Sequence, residues 1–267
     1  MHMIDDKDRE DGEGRKINIE KPQGLEELQV RLYDICGRVA EKYDLYRKDG
    51  QPRIAAIIES LARNVCPALA ISDLRFGGRG GVDSFYGEIH DLATNILVEE
   101  LCSYFTGMGL KVAVMSEVEM RFGRVDVLIE SSRSSVNVRL PNKDFSLIVE
   151  VKTGNSFSLT QVFRYLCNDS DRVIVWRIKN RQIIRFDFEG TRPILEKFVR
   201  MVCLRAERLL SGSCLEGGKP QEGLEYRPTQ EVLEAMFQDF MVAVDETLPK
   251  VVQTIFENLG PPTVNSE

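Results

Sequence analysis

Three residues have the types and spacing to do chemistry together. Asp126 is the lone acid in the apolar run Gly-Arg-Val-Asp-Val-Leu-Ile at 123–129, and Glu150 and Lys152 interrupt Ile-Val-Glu-Val-Lys-Thr-Gly at 148–154. Side chains of a strand alternate between its faces, so Glu150 and Lys152 point one way while Val149 and Val151 point the other. A carboxylate and an ammonium beside an otherwise core-like strand are costly to bury unless they are paired or bind a metal. Carboxylates held on rigid strands can bind Mg²⁺ or Mn²⁺. Such an ion neutralises phosphate charge and activates water, the two needs of phosphodiester hydrolysis. A surface Glu–Lys pair on a one-sided sheet would show the same short pattern.

A second pair lies just downstream. Gln161 and Tyr165, in Gln-Val-Phe-Arg-Tyr, stand four residues apart and so share one face of a helix. Other polar residues invite simpler explanations. Glu117 and Glu119 end the first strand on one face; either is a candidate to reach a metal, and a solvated strand end is the simpler reading. Arg121, Arg124, Arg164 and Lys179 read as phosphate contacts or plain surface charge. Trp176, in Val-Ile-Val-Trp, reads as core. The run Gly77-Gly78-Arg79-Gly80-Gly81 lacks the Lys-Ser/Thr of a phosphate-binding loop and reads as a linker. Cys36, Cys66, Cys102, Cys167, Cys203 and Cys214 have no short-spaced pair, so zinc and iron–sulfur sites are not indicated and six buried free thiols are expected.

The elements that must position these residues follow from periodicity. Helical spacing runs through Leu25–Tyr43 and through Ile54–Val65, the latter ending near Pro67, and then from about Ser84 to Phe105, where Gly107-Met108-Gly109 stops it. Three β-like runs follow, Lys111–Glu119, Arg124–Ile129 and Phe145–Lys152, with a polar hairpin extension at Ser131–Lys143. A short helix at 158–167 precedes two more strands, Arg172–Ile178 and Gln182–Phe186, and a helix at about 192–210. Two helices are expected near the end, Val232–Val244 and Leu248–Leu259, divided at Thr247 and Pro249. Their apolar face packs on the core or meets a partner chain. The order of elements gives an α/β layer structure with a mixed central sheet flanked by helices.

The chain divides accordingly into a disordered tail (1–23), an N-terminal helical region (24–82), a core (83–211), a linker (212–228) and a C-terminal helical region (229–267). No apolar run approaches the ~18–20 residues that span a bilayer, and the polar amino terminus does not resemble a signal peptide, so a cytoplasmic protein is expected. The net charge of −7 hides a division. Residues 1–27 carry 5 basic against 9 acidic side chains and 216–267 carry 3 against 10, whereas 121–205 carry 16 against 9. The positive stretch surrounds the candidate site, where it would attract phosphates, although a solvated surface carries the same pattern.

Asp126 on one strand and Glu-x-Lys on the next resemble the PD-(D/E)XK nuclease superfamily over about residues 84–186. Valine at 125 replaces the proline of the name, and the hairpin accounts for the long gap between Asp126 and Glu150. The resemblance implies a restriction-endonuclease-like core with helical extensions at both ends. In it Asp126, Glu150 and the main-chain carbonyl of Val151 bind the metal, and Lys152 orients or deprotonates the attacking water. The family's helix acid matches Glu88 in Phe85-Tyr86-Gly87-Glu88. His90 is the alternative, and Glu88 is preferred because hard Mg²⁺ favours oxygen. Gln161 and Tyr165 resemble the Gln-x-x-x-Tyr element of the RecB and lambda-exonuclease branch, which acts on DNA ends; the cysteine cluster of its iron–sulfur members is missing.

The expectation is therefore a Mg²⁺- or Mn²⁺-dependent nuclease acting on DNA, with RNA also open. Its rivals are a structure-selective endonuclease of resolvase or restriction type, and a binding or scaffold protein that retains the fold without turnover. The C-terminal helices would serve a homo-oligomer or a protein partner.

Overall fold

A computed structural model describes residues 23–64, 70–71, 74, 84–110, 112–131, 138–139, 146–154, 157–168, 170, 172–212, 230–259 and 263–264. The N-terminal tail, the glycine-rich run, most of the 131–143 hairpin and the linker after Gly212 lie outside them.

Five strands make one mixed sheet. They are β1 (Val112–Met120), β2 (Gly123–Ser131), β4 (Ser146–Lys152), β5 (Arg172–Arg177) and β6 (Gln182–Asp187), hydrogen-bonded in that order. The pairs β1–β2, β2–β4 and β5–β6 are antiparallel, and β4–β5 is parallel. The parallel step needs a crossover, which the helix α4 (Leu159–Leu166) supplies. A separate short pair joins β3 (Val138–Arg139) to β7 (Thr263–Val264), so the described part of the hairpin segment pairs with the C-terminal end of the chain.

Each face of the sheet is covered. Ile148, Val173 and Val175 pack with α1 (Gln23–Tyr43), α2 (Ile54–Arg63), α4 and α5 (Phe188–Leu210). Val127, Ile129, Val149, Val151, Ile174 and Trp176 pack with α3 (Ser84–Gly107) and α6 (Gln230–Leu259) on the other side. This alternation by single residues is what places Glu150 and Lys152 on the α4 side. The C-terminal apolar face packs on the core.

Three expectations need correction. The C-terminal helices are one continuous helix, α6, with Pro249 inside it. An internal proline costs about 3 kcal/mol. Phe240, Ala243 and Val244 before it, and Val251, Val252 and Ile255 after it, are buried in one core, and that burial holds the helix through the break. Thr247 adds a fixed point, accepting the Trp176 indole N–H at 2.8 Å and donating to the Ala243 carbonyl at 2.6 Å. Cys102 is exposed rather than buried, whereas Cys36, Cys167 and Cys203 are buried. Cys102 follows the buried Leu101 on α3 and therefore turns away from the core.

Glu117 and Glu119 do not share a simple strand face. Glu117 holds a left-handed backbone, φ +56°, at the register position facing Asp126 between the Ser116–Val127 and Val118–Val125 pairs. The alternation changes phase there. Val114 packs on the α3 side, but Val118 and Met120 pack on the other. On the partner strand Val127 faces α3 and Val125 faces the opposite core. A non-glycine residue at positive φ costs about 1–3 kcal/mol and needs surrounding structure to hold it.

No helix among the described residues is long and apolar enough to cross a membrane.

Candidate functional site

The site lies where two paired strands part. The β2–β4 ladder runs from Glu130–Ser146 to Val127–Val149 and stops. One step further the register would set Asp126 against Glu150. Instead the Val151 N–H donates to Asp126 Oδ2 at 2.7 Å, so a side chain fills the place of the next ladder acceptor. The opening between the strands is thereby closed with an acid.

Glu150 is 2% exposed, in the first core layer under α4. Its Oε1 accepts from Lys152 Nζ and from Gln161 Nε2, the latter at 2.5 Å. Its Oε2 is buried with no hydrogen-bond partner among the described residues. Burial, reinforced by the Asp126 charge, pushes the Glu150 carboxyl up from 4.5 to about 7, against the lowering effects of Lys152 and of the Tyr165 hydroxyl beside it. A buried carboxylate oxygen without a donor is an expensive arrangement unless a cation or a proton completes it.

The short helix α4 delivers two of the expected residues together. Val162, Tyr165 and Leu166 bury its apolar side, and Gln161 lies above Tyr165 one turn earlier. Gln161 Nε2 also donates to Tyr165 Oη at 2.7 Å, and Tyr165 Oη donates to the Arg124 carbonyl at 3.0 Å. The ring of Tyr165 is buried, but on the Glu150 side of the sheet. Burial and the Glu150 charge keep its hydroxyl protonated by raising its pKa. The chain Glu150–Gln161–Tyr165–Arg124 therefore ties β4, α4 and β2 into one polar network.

From the opposite side α3 brings His90. Its Nε2 lies 3.2 Å from Asp126 Oδ2 and its Nδ1 lies 3.5 Å from Asp91 Oδ1. The hydrogen bond to Asp126 raises the imidazole pKa, against the lowering effect of burial. Glu88 is exposed. Residues two positions apart on a helix are turned about 200° from each other, so the flank that turns His90 to Asp126 turns Glu88 away. The structure thus brings together Asp126, Glu150, Lys152, Gln161, Tyr165 and His90, and leaves Glu88 outside. His90, Asp91 and Glu117 also offer ligand atoms within 4.8 Å of one another. Glu117 is held there by Arg124, whose Nε lies 2.7 Å from its carboxylate.

No family model, curated protein or solved structure matches the chain.

Arg164 is buried; Nη1 donates to the Phe122 carbonyl at 2.5 Å and Nη2 meets Glu59 Oε1 at 3.1 Å, a structural brace between the β1–β2 turn, α2 and α4. The brace fits against Gly123 (φ +129°), where a Cβ would come within 2.3 Å of Arg164 Nη1. Arg121 lies over the Tyr33 ring, 4.5 Å from its centroid. Trp176 is fully buried. Two residues near the site escaped the sequence reading, Arg177 and Phe157. Alternation sets the first on one strand face with Val173 and Val175, but only the β4–β5 register brings it beside Lys152; the second, outside any element, carried no periodic signal.

Proposed function

We propose that the protein is a divalent-metal-dependent nuclease of the PD-(D/E)XK type, hydrolysing phosphodiester bonds of DNA. The observation that carries this reading is Glu150: an almost fully buried acid beside a second acid, with one oxygen held by Lys152 and Gln161 and the other left without a donor. The element order supports it. Helix α3, the antiparallel strands β1, β2 and β4, then helix α4 and the parallel strand β5 agree with the restriction-endonuclease-like core that the sequence resemblance implies.

The donor set fits a small divalent ion. Asp126, Glu150 and the Val151 carbonyl offer oxygen, and His90 offers a nitrogen on the α3 side. When bound, Mg²⁺ or Mn²⁺ would neutralise phosphate charge and lower the pKa of a water. The chain's own residues would do the rest. Lys152 holds an ammonium against Glu150 Oε1, placed to donate hydrogen bonds to an attacking water or to the phosphate oxygens as charge grows on them. Gln161 fixes the Glu150 carboxylate plane, and Tyr165 fixes Gln161. Because these groups are set before substrate arrives, little reorganisation accompanies the reaction, which is where such sites gain most of their rate.

The direct test is incubation of the full chain with linear, covalently closed and branched DNA in Mg²⁺, Mn²⁺ or EDTA. Cleavage that requires the divalent ion is expected, and closed circles separate end-dependent from internal cleavage. A protein inert on every DNA and RNA under these conditions overturns the reading.

A further inference from the structure

We infer that Arg177 and Phe157 form a subsite that holds an unpaired stretch of nucleic acid beside the reacting phosphodiester; this rests on the nuclease reading above. Lys152 and Arg177 are register partners on the parallel strands β4 and β5. Val173 and Val175 share a core with Ile148, so Arg177 projects from the same face of the sheet as Glu150 and Lys152. Adjacent strands are about 4.8 Å apart, which makes Arg177 the next cation along the sheet from Lys152. Both residues end their strands, at the carboxyl edge where open α/β sheets take their ligands.

Phe157 completes the arrangement. The Arg177 guanidinium lies 5.2 Å from its ring centroid, and Phe186 backs the ring at 6.4 Å. Gln182 Oε1, on the neighbouring strand β6, accepts from Arg177 Nη1 at 2.7 Å and fixes the plane of the guanidinium. Leu159, 51% exposed, follows at the head of α4, whose next positions carry Gln161. A guanidinium over a half-buried ring, with an exposed apolar side chain beside them, matches the two things a nucleic-acid strand presents: a phosphate for the guanidinium donors and a base for the aromatic and apolar groups. In a duplex both faces of each base are covered by neighbours. Only an unpaired base can lie on this surface, so the subsite selects single-stranded segments.

Binding is measured by fluorescence anisotropy with labelled single-stranded and duplex oligonucleotides, DNA and RNA, in EDTA so that no cleavage intervenes. Phe157→Ala and Arg177→Ala are each expected to weaken single-strand binding about tenfold, within the range of one stacked base, and to change duplex binding by less than about twofold. Arg177→Ala is expected to lower the slope of log affinity against log salt by about one, whereas Arg177→Lys keeps the slope and still binds weakly. Phe157→Leu retains the packing on Phe186 and loses the stacking, so it separates binding from folding. Equal losses on single strand and duplex, wild-type affinity in all variants, or no nucleic-acid binding by the wild type overturns the subsite. A wild type that cleaves while the variants bind normally sinks the subsite and spares the nuclease reading. One that binds single strands through these residues but never cleaves does the reverse.

Discussion

Asp126 accepts the backbone N–H of Val151 at 2.7 Å, so the acid of β2 serves as the missing ladder acceptor of β4. The same oxygen meets His90 Nε2 at 3.2 Å. One carboxylate thus joins the two strands and α3, and its structural and chemical duties can be separated. Asp126→Asn keeps an oxygen for the Val151 N–H, whereas Asp126→Ala leaves that amide without its acceptor. Both substitutions are expected to abolish divalent-dependent cleavage. In urea unfolding Asp126→Ala loses about 1–3 kcal/mol relative to Asp126→Asn, the cost of a buried amide left without its acceptor. Equal stability of the two variants would show that the strand opening does not depend on this carboxylate.

The two candidate ligands on α3 are expected to behave differently. His90→Ala weakens Mn²⁺ binding, read from ion-induced thermal shifts, by about tenfold to a hundredfold, the range seen when groups that support a metal site are lost. Glu88→Ala, on the exposed flank, stays near wild type. A larger loss in Glu88→Ala than in His90→Ala would mean that α3 turns its other flank to the metal.

Arg164 gives the contrasting case of a buried charge held by structural contacts. Arg164→Met removes the brace to Phe122 and leaves Glu59 half-buried without its partner, at a cost of about 3 kcal/mol or more in urea unfolding. At a temperature where the variant stays folded, the concentration of Mn²⁺ needed for half-maximal cleavage is expected to match wild type. A changed ion requirement in folded Arg164→Met would move this arginine from the scaffold into the site.

Much of this was legible in the sequence because it rests on period. Alternation put Glu150 and Lys152 on one face, and the spacing of four put Gln161 and Tyr165 on one helix side, as the hydrogen bonds among them show. What escaped depends on contacts that no local pattern encodes. Ile89, Ala93 and Leu97 mark the buried stripe of α3, but Glu88 and His90 lie on opposite flanks of it, and only packing against β1 and β2 decides which flank meets Asp126. The phase change at Glu117 is a backbone event, invisible where side chains still alternate. Pro249 reads as a stop until the core on both sides of it is known. Arg164 falls beside the buried Tyr165 and Leu166, yet its pairing partners lie 42 and 105 residues away in the chain.

The last prediction concerns the sign of the Glu150 contribution to stability. Its folded carboxyl titrates at about 7, above its ordinary 4.5, so between those values the folded protein holds the proton more firmly than the unfolded chain. In EDTA, stability from this group is present below about pH 4.5 and is lost as pH rises to about 7. His90, raised through its bond to Asp126, acts in the same direction, its contribution fading as pH rises through the folded imidazole value. Glu150→Gln removes the buried charge. It is expected to melt above wild type at pH 8, by up to about 3 kcal/mol on the basis of roughly 1.4 kcal/mol per unit, and to converge with it near pH 4.5. Lys152→Met moves the other way at pH 8, since it takes away the ammonium that offsets the buried acid. Divalent ions bind the ionised carboxylate, so stabilisation by Mn²⁺ should grow from pH 6 to pH 8 in wild type and be absent in Glu150→Gln. Thermal melts of the three proteins with EDTA or Mn²⁺ decide it. A Glu150→Gln protein that melts below wild type at pH 8 in EDTA would identify Glu150 and Lys152 as a stabilising salt bridge, and the case for a metal-ready acid would fail.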